Sequence, residues 1–115
     1  KIMSQRFLQH VVFLKLSEEC DDDELKAFNK QMDRIVNAID GMVCGKITKN
    51  EYSTRTQGFT HQNVCLFSTV EGLNIYADHP EHVKLKGMVK KFVTGNLAVI
   101  DSWTDMITPK IFKSK

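Results

Sequence analysis

The first strongly patterned segment of the chain covers residues 7–16 and reads FLQHVVFLKL. Such a run of β-branched and aromatic residues, with polar sequence on either side, predicts a β-strand. Because side chains alternate along a strand, His10 and Val12 would share one face, and Val11 and Phe13 the other. Both faces are mainly apolar, so we expect each of them to be covered.

A helical period follows directly after this strand. The acidic run from Asp21 to Glu24 stands where a helix N-terminus favours negative charge, and Gly41 would end the helix. A metal site in the acidic run is the alternative, but the run leads straight into a periodic helix, which favours capping. Apolar residues recur at spacings of three and four, at Leu25, Phe28, Met32, Ile35, Val36 and Ile39.

Three further strands and an interrupted helical segment complete the pattern. The helical segment begins near Val70, is broken at Pro80, and would end at Gly95. The tail from Thr104 is polar to mixed, and we expect it either to fray or to cover a neighbouring subunit. The further strands are predicted at residues 42–50, 60–69 and 96–103.

The predicted order is β-α-β-β-α-β, which is the ferredoxin-like arrangement of the α+β class. It forms a four-stranded antiparallel sheet with the helices on one face, and 115 residues fit a single domain with its core at about residues 7–105. The other sheet face is apolar as well. We therefore expect a second copy of the chain to cover it, giving a homodimer joined sheet to sheet.

Composition and charge exclude several classes of protein. A net charge of +2 is too small to predict nucleic-acid binding, and the lysines of KLKGMVKK are better explained as the wet face of a helix than as a membrane or phosphate patch. No apolar run approaches the roughly 20 residues that cross a bilayer, and no signal peptide is expected. Three cysteines without metal-type spacing predict free thiols and a cytoplasmic location, with Cys44 and Cys65 as small core residues.

Candidate chemistry is concentrated in IYADHPEHVKL, residues 75–85. A straight helix would separate Tyr76 and His82 by roughly 120° in projection, but a bend at Pro80 would bring both to one cavity. An imidazole buried on an apolar face stays neutral and can act as a base, and a phenol can donate a hydrogen bond to a carbonyl oxygen. The alternative is that both are ordinary core residues, and that His79 caps the first helical piece with its ring.

The remaining titratable candidates are explained most simply by structural hydrogen bonds. This holds for His10 and His61, whereas Asp101 near the centre of a strand needs a partner that a histidine would provide. His79 and His82 have a spacing that could bind metal, but the intervening proline spoils their regular placement. We therefore predict no metal and no cofactor.

Several segments together resemble the stress-responsive dimeric α+β barrel family. They are QHVVFLKL, the FTH that enters the third strand, YADHPEHVKL and the closing VIDSW, and they extend from about His10 to Trp103. The resemblance implies subunits that pair into a barrel. Members of the family include plant stress proteins without secure enzymatic activity, and also olivetolic acid cyclase, which closes a linear polyketide by aldol chemistry without a metal.

The resemblance also assigns roles to individual positions. Tyr76 and His82 match the tyrosine and histidine that carry catalysis in the cyclase. The pocket and orienting positions are matched by His10, His61, His79 and Asp101.

Two classes of function follow. The first is a stress-responsive barrel protein that binds a small apolar ligand or acts structurally. The second is a cofactor-free cyclase or lyase acting on a polyketide-like carbonyl substrate, with His82 as base, Tyr76 as donor, and either Asp101 or His10 orienting the base. We prefer the first, and for either class we expect these four side chains to converge on one cavity.

Overall fold

The structure is a computed structural model that describes residues 4–107, and the side chains of residues 5–105. The predicted β-α-β-β-α-β order is confirmed, with the second helical segment divided in two at His79 and Pro80. No helix among the described residues is long and apolar enough to span a membrane. The elements are β1 (Ser4–Leu14), α1 (Asp22–Ala38), β2 (Met42–Lys49), β3 (His61–Phe67), α2 (Val70–Asp78), α3 (Pro80–Lys90) and β4 (Ala98–Ile107).

The four strands form one antiparallel sheet in the order β2-β3-β1-β4, so the fold is ferredoxin-like α+β, as predicted. Strand β1 is central and pairs with both β3 and β4. In this register His10 lies opposite Cys65 on one side and opposite Asp101 on the other. Cross-strand neighbours share a face of the sheet, so these three side chains face the helices.

Helix α1 covers this face by its apolar stripe. Phe28, Met32 and Ile35 are completely buried against the sheet, as the spacing of three and four predicts. The helix is also hydrogen-bonded to the edge strand, because the Asn29 side-chain amide both donates to the Ile47 carbonyl and accepts from its N–H, each at 2.8 Å. These two bonds fix the position of α1 over β2.

The ends of α1 confirm one expectation and correct another. Asp21 is the N-cap and accepts a hydrogen bond from the Glu24 N–H at 2.9 Å, so the acidic run caps the helix. Gly41 does not end the helix, which stops at Ala38. Ile39 is extended and almost fully buried in the core, and Gly41 instead turns the chain into β2 with φ +85°.

This turn packs backbone to backbone against the start of α2. A side-chain carbon at Gly72 would lie 3.1 Å from the carbonyl group of Gly41, so the two segments could not approach so closely with any larger residue. The Ser68 N–H donates to the Gly41 carbonyl at 2.7 Å, and Thr69 caps α2 by accepting from the Gly72 N–H at 3.0 Å. The close approach therefore sets where α2 begins.

Strand β4 is longer than predicted. It runs from Ala98 to Ile107 instead of ending at Trp103, because its residues continue to pair with β1 as far as Ser4. The expectation that the tail frays from Thr104 is therefore wrong up to Ile107. The rest of the tail lies outside the described residues.

Two other elements, in contrast, end earlier than predicted. Strand β1 ends at Leu14, and Leu16 forms only an isolated bridge with Val93. Helix α3 ends at Lys90, five residues before Gly95, because the chain that follows it turns to meet the end of β1.

The second face of the sheet carries no helix in the part of the chain that the structure describes. One apolar row crosses the adjacent strands β3, β1 and β4 on this face, formed by Val64, Val11 and Ile100, and Ile100 is 57% exposed.

The two cysteines that were predicted to lie in the core differ. Cys65 is buried in the core as predicted, but Cys44 is exposed, so its assignment to the core is wrong. It lies on edge strand β2, where no further strand covers it.

Candidate active site

A cavity of about 430 Å³ lies between the helix-facing side of the sheet and α3. Most of its wall is apolar and comes from the sheet, from α3 and from the segment that joins α3 to β4. Only a few polar groups interrupt this wall. The apolar lining residues are Val12, Leu14, Ile47, Leu85, Val89, Val93, Leu97 and Val99, and the polar ones are His10, Asn63, Tyr76, His82, Lys86 and Lys90.

Tyr76 lies at the end of the second turn of α2 and is 1% exposed. Its hydroxyl oxygen accepts a hydrogen bond from Asn63 Nδ2 at 3.3 Å and a weak one from the Cys65 thiol at 3.9 Å. Burial raises the pKa of Cys65 to about 12, which keeps the thiol protonated as a donor. The thiol of Cys65 can give its single proton to Asn63 Oδ1 at 3.4 Å instead, so the Tyr76 hydroxyl can donate its own proton either to the Cys65 sulfur or to a molecule in the cavity.

His82 lies in the first turn of α3, beyond the break, and its ring stacks on the ring of Tyr76 with centroids 3.8 Å apart. Its Nδ1 is 2.8 Å from the backbone carbonyl oxygen of Tyr76. A carbonyl oxygen can only accept, so Nδ1 carries the proton and Nε2 keeps a free lone pair. Burial is the main cause that lowers the pKa of His82, with the positive charge of Lys86 adding to it, so the ring is in its basic form near neutral pH.

His10 contributes a second imidazole to the same wall, from β1. Its Nδ1 donates to Oδ1 of Asp101 on β4 at 2.5 Å, and its ring meets the ring of Tyr76 edge-on at 5.7 Å. The histidine partner expected for Asp101 is therefore confirmed. The carboxylate is not buried, however, since its side chain is 44% exposed.

The group that orients His82 differs from the expected one. Neither Asp101 nor His10 bonds to it, and the Tyr76 carbonyl takes that place. This carbonyl belongs to the last turn of α2, where carbonyl groups lack helical partners. The break between α2 and α3 thus brings the two rings together and also supplies the acceptor that fixes the tautomer.

His79 lies outside the cavity and has a structural role in this arrangement. Its Nδ1 accepts a hydrogen bond from the Glu81 N–H at 3.1 Å, so its ring caps the N-terminus of α3. The expectation that this ring caps the first helical piece is wrong, since only its backbone N–H bonds to the end of α2, through Tyr76. Pro80 follows as the first residue of α3, where a missing N–H costs nothing.

His61 is also separate from the cavity. It is buried at the start of β3, with Nδ1 2.7 Å from the Thr60 hydroxyl. Burial, followed by the charge of Lys49, lowers its pKa. The structure therefore brings together Tyr76, His82 and His10, with Asp101 attached to His10, and leaves the other two candidates elsewhere.

Asn63 is the residue of the site that the sequence did not single out. It is 6% exposed and holds the Tyr76 hydroxyl from the neighbouring strand. The sequence did contain a signal, because the side chains on one face of β3 change from polar, at Asn63, to apolar, at Cys65.

In the part of the chain that the structure describes, no three His, Cys, Asp or Glu side chains lie close enough together to bind a metal ion.

Comparison with known proteins gives a family and a set of structural neighbours. The sequence model of the stress responsive A/B barrel domain matches residues 8–104. A dimeric ferredoxin-like protein of unknown function from Jannaschia sp. CCS1 superposes with a TM-score of 0.71 at 21% identity, over 84% of this chain and 97% of that one. A protein from Arabidopsis thaliana gives 0.69 at 23%, over 83% and 92%.

Hydroxynitrile lyase from Passiflora edulis is a third structural neighbour. It superposes with a TM-score of 0.68 at 15% identity, over 85% of this chain and 93% of the lyase. At these identities the likeness shows a shared fold and no more. No curated protein sequence matches this chain with significant similarity.

Proposed function

We propose that this chain, which belongs to the stress-responsive A/B barrel domain family, binds a small and largely apolar molecule in the cavity beside Tyr76 and His82. The cavity is the observation that carries this proposal. Its volume of about 430 Å³ falls within the range of known ligand sites, and its apolar wall with a few convergent polar groups is typical of them.

The binding unit in this proposal is a cytoplasmic homodimer, joined through the second face of the sheet, which carries no helix among the described residues. The apolar row of Val11, Val64 and Ile100 supports it, because its end on β4 is exposed, at Ile100, and exposed apolar surface marks an interface. Several structural neighbours are described as dimeric ferredoxin-like proteins, which also supports it. The cavity lies on the other side of the sheet, so dimerisation through this face leaves it accessible.

A thermal-shift screen of apolar, aromatic and polyketide-like compounds tests ligand binding. A compound present at 100 times its Kd should stabilise the folded protein by about 2.7 kcal/mol. The shift should be lost in His82→Ala, which removes a ring from the cavity wall, and kept in Lys84→Ala, which lies outside it. If no compound raises the unfolding temperature, a purely structural role replaces this proposal.

A cofactor-free cyclase or lyase activity is the second candidate, and the arrangement of the two stacked rings favours it. Nε2 of His82 would take a proton from a carbon next to a carbonyl group, and the electron pair of that C–H bond would move to form an enolate. The Tyr76 hydroxyl would donate a hydrogen bond to the enolate oxygen. The enolate carbon would then bond to a second carbonyl carbon of the same chain, whose oxygen takes back a proton from His82. The hydroxynitrile lyase among the structural neighbours indicates that this fold accommodates lyase chemistry.

An activity assay with a linear polyketide-like oxo ester tests this second candidate. The absorbance of the ring-closed product measures turnover. Removing the acid or base of such a pair typically costs a factor of about 10² to 10⁴ in rate. His82→Gln and Tyr76→Phe should each show a loss of that size, whereas Val83→Ala, on the exposed side of α3, should not. Equal rates in the wild type and both cavity variants would rule out this chemistry.

A further inference from the structure

The residues that line the cavity become more exposed to solvent from its inner end to its mouth. Tyr76 and Asn63, at the inner end, are 1% and 6% exposed, whereas Leu97 and Val99, at the mouth, are 52% and 51% exposed. A molecule that fills the cavity therefore has an inner part surrounded by protein and an outer part in contact with water.

Two positive charges lie at this mouth. Lys86 and Lys90 both line the cavity and are both exposed. They are four residues apart on α3, so their side chains lie on the same face of the helix, one turn from each other. Two cations on one side of an opening favour a ligand with negative charge at that end.

Neither lysine is neutralised within the described residues. The one ion pair found there joins His10 to Asp101, and that carboxylate is already bonded to an imidazole. Lys86 Nζ donates a hydrogen bond to the Ala77 carbonyl at 3.2 Å, which leaves its other N–H groups free. Both ammonium groups are therefore available to an anion.

We infer that the ligand is a monocarboxylate with an apolar body, whose charged end lies between Lys86 and Lys90 at the cavity mouth. This inference rests on the proposed binding function and specifies its ligand class. A single negative charge fits better than a phosphate dianion, because no arginine lines the cavity and the two lysines lie in the C-terminal half of α3, where the helix dipole is negative.

The competing explanation is that the lysine stems only close the cavity wall. Long aliphatic stems commonly cover apolar surface while the ammonium group stays in water. Under that explanation, a neutral ligand and an anionic ligand of the same shape bind equally well. The two explanations therefore differ in a measurable way.

Isothermal titration of the intact protein with octanoate and with octanamide makes this comparison, since the two probes differ mainly in charge at neutral pH. Exposed ion pairs are each worth a few-fold in affinity, so octanoate should bind about 10-fold more tightly than octanamide in low salt, and this advantage should shrink at high salt. The double variant K86Q/K90Q should lose the advantage while keeping its affinity for octanamide.

The double variant K84Q/K91Q is the matched control, because both of its lysines are exposed but neither lines the cavity. If it weakens octanoate binding as much as K86Q/K90Q does, general surface charge is responsible and the inference is overturned. Equal binding of both probes, or binding only of neutral compounds in the thermal-shift screen, also overturns it and leaves the proposed cavity function intact. If no compound of any charge binds, the proposed function fails as well.

Discussion

Burial holds both stacked rings of the cavity in their uncharged forms. It raises the pKa of Tyr76 and lowers the pKa of His82, so near pH 7 the phenol keeps its proton and the imidazole keeps a lone pair. A hydrogen-bond donor and a base therefore lie side by side in one apolar space. Desolvation is the largest cause of both shifts, and the positive charge of Lys86 adds to the lowering of the His82 pKa.

The lowered pKa of His82 makes stability depend on pH. An unfolded chain has a histidine pKa of about 6.5, so as the pH falls the unfolded state takes up this proton before the folded state does. The free energy of unfolding should therefore decrease as the pH drops below about 7 towards the folded-state pKa. Urea unfolding at pH 7.5 and 5.5 measures this decrease, which should be smaller in His82→Gln. An identical decrease in both proteins would contradict the prediction; His61 contributes the same sign in each.

Tyr76→Phe should destabilise the protein although it leaves the ring in place. The change removes the oxygen that accepts hydrogen bonds from Asn63 and Cys65, and leaves a buried amide N–H without its partner. A loss of about 1 to 2 kcal/mol in the free energy of unfolding is expected. Tyr52→Phe is the matched control, because Tyr52 is 94% exposed and its change should have no measurable effect. Equal stability of the two variants would count against the described hydrogen bonds.

The residues of the cavity could be predicted from sequence in part. The proline between Tyr76 and His82 indicated a bend, and a carboxylate within a strand indicated a histidine partner, which is His10. The acceptor that orients His82 could not be predicted, because it is a backbone carbonyl whose position depends on how α2 ends. Asn63 was missed for a related reason: its role depends on the packing of β3 against α2.

At the scale of helices and strands, the ring of His79 caps the start of α3 at the break between α2 and α3. His79→Ala should lower the free energy of unfolding by about 1 kcal/mol, because the Glu81 N–H loses its acceptor at the N-terminus of α3. His79→Asn offers a side-chain oxygen for the same bond and should restore most of the loss. Urea unfolding with an unchanged m-value measures both effects. If the asparagine variant is no more stable than the alanine variant, the ring does not act as the cap.

The type and order of these elements could be predicted, whereas several boundaries could not. The spacing of hydrophobic residues along the chain distinguishes helices from strands, because it reflects which side chains face the core. The ends are decided by contacts far away in sequence, such as the burial of Ile39 that ends α1 before Gly41. The pairing of β4 with the first residues of β1, as far as Ile107, is of the same kind.

At the scale of the whole molecule, the second face of the sheet is the surface through which we propose that two copies of the chain pair. Ile100→Glu places a charge at the exposed end of the apolar row, on β4, and should convert the proposed dimer into a monomer of 13.2 kDa. Val83→Glu introduces the same charge on the exposed side of α3 and should leave the dimer intact. Analytical ultracentrifugation measures both. A wild-type protein that sediments as a monomer would contradict the dimer.

The close contact between Gly41 and Gly72 has a consequence for which mutations the protein tolerates. Neither residue has chemistry of its own, and both lie outside the cavity. Any side chain at Gly72 would meet a rigid backbone and push α2 away from the turn, and Tyr76 lies one turn further along the same helix. A search for inactive variants that samples the whole chain should therefore find Gly72 as intolerant as the cavity residues, although it never touches a ligand.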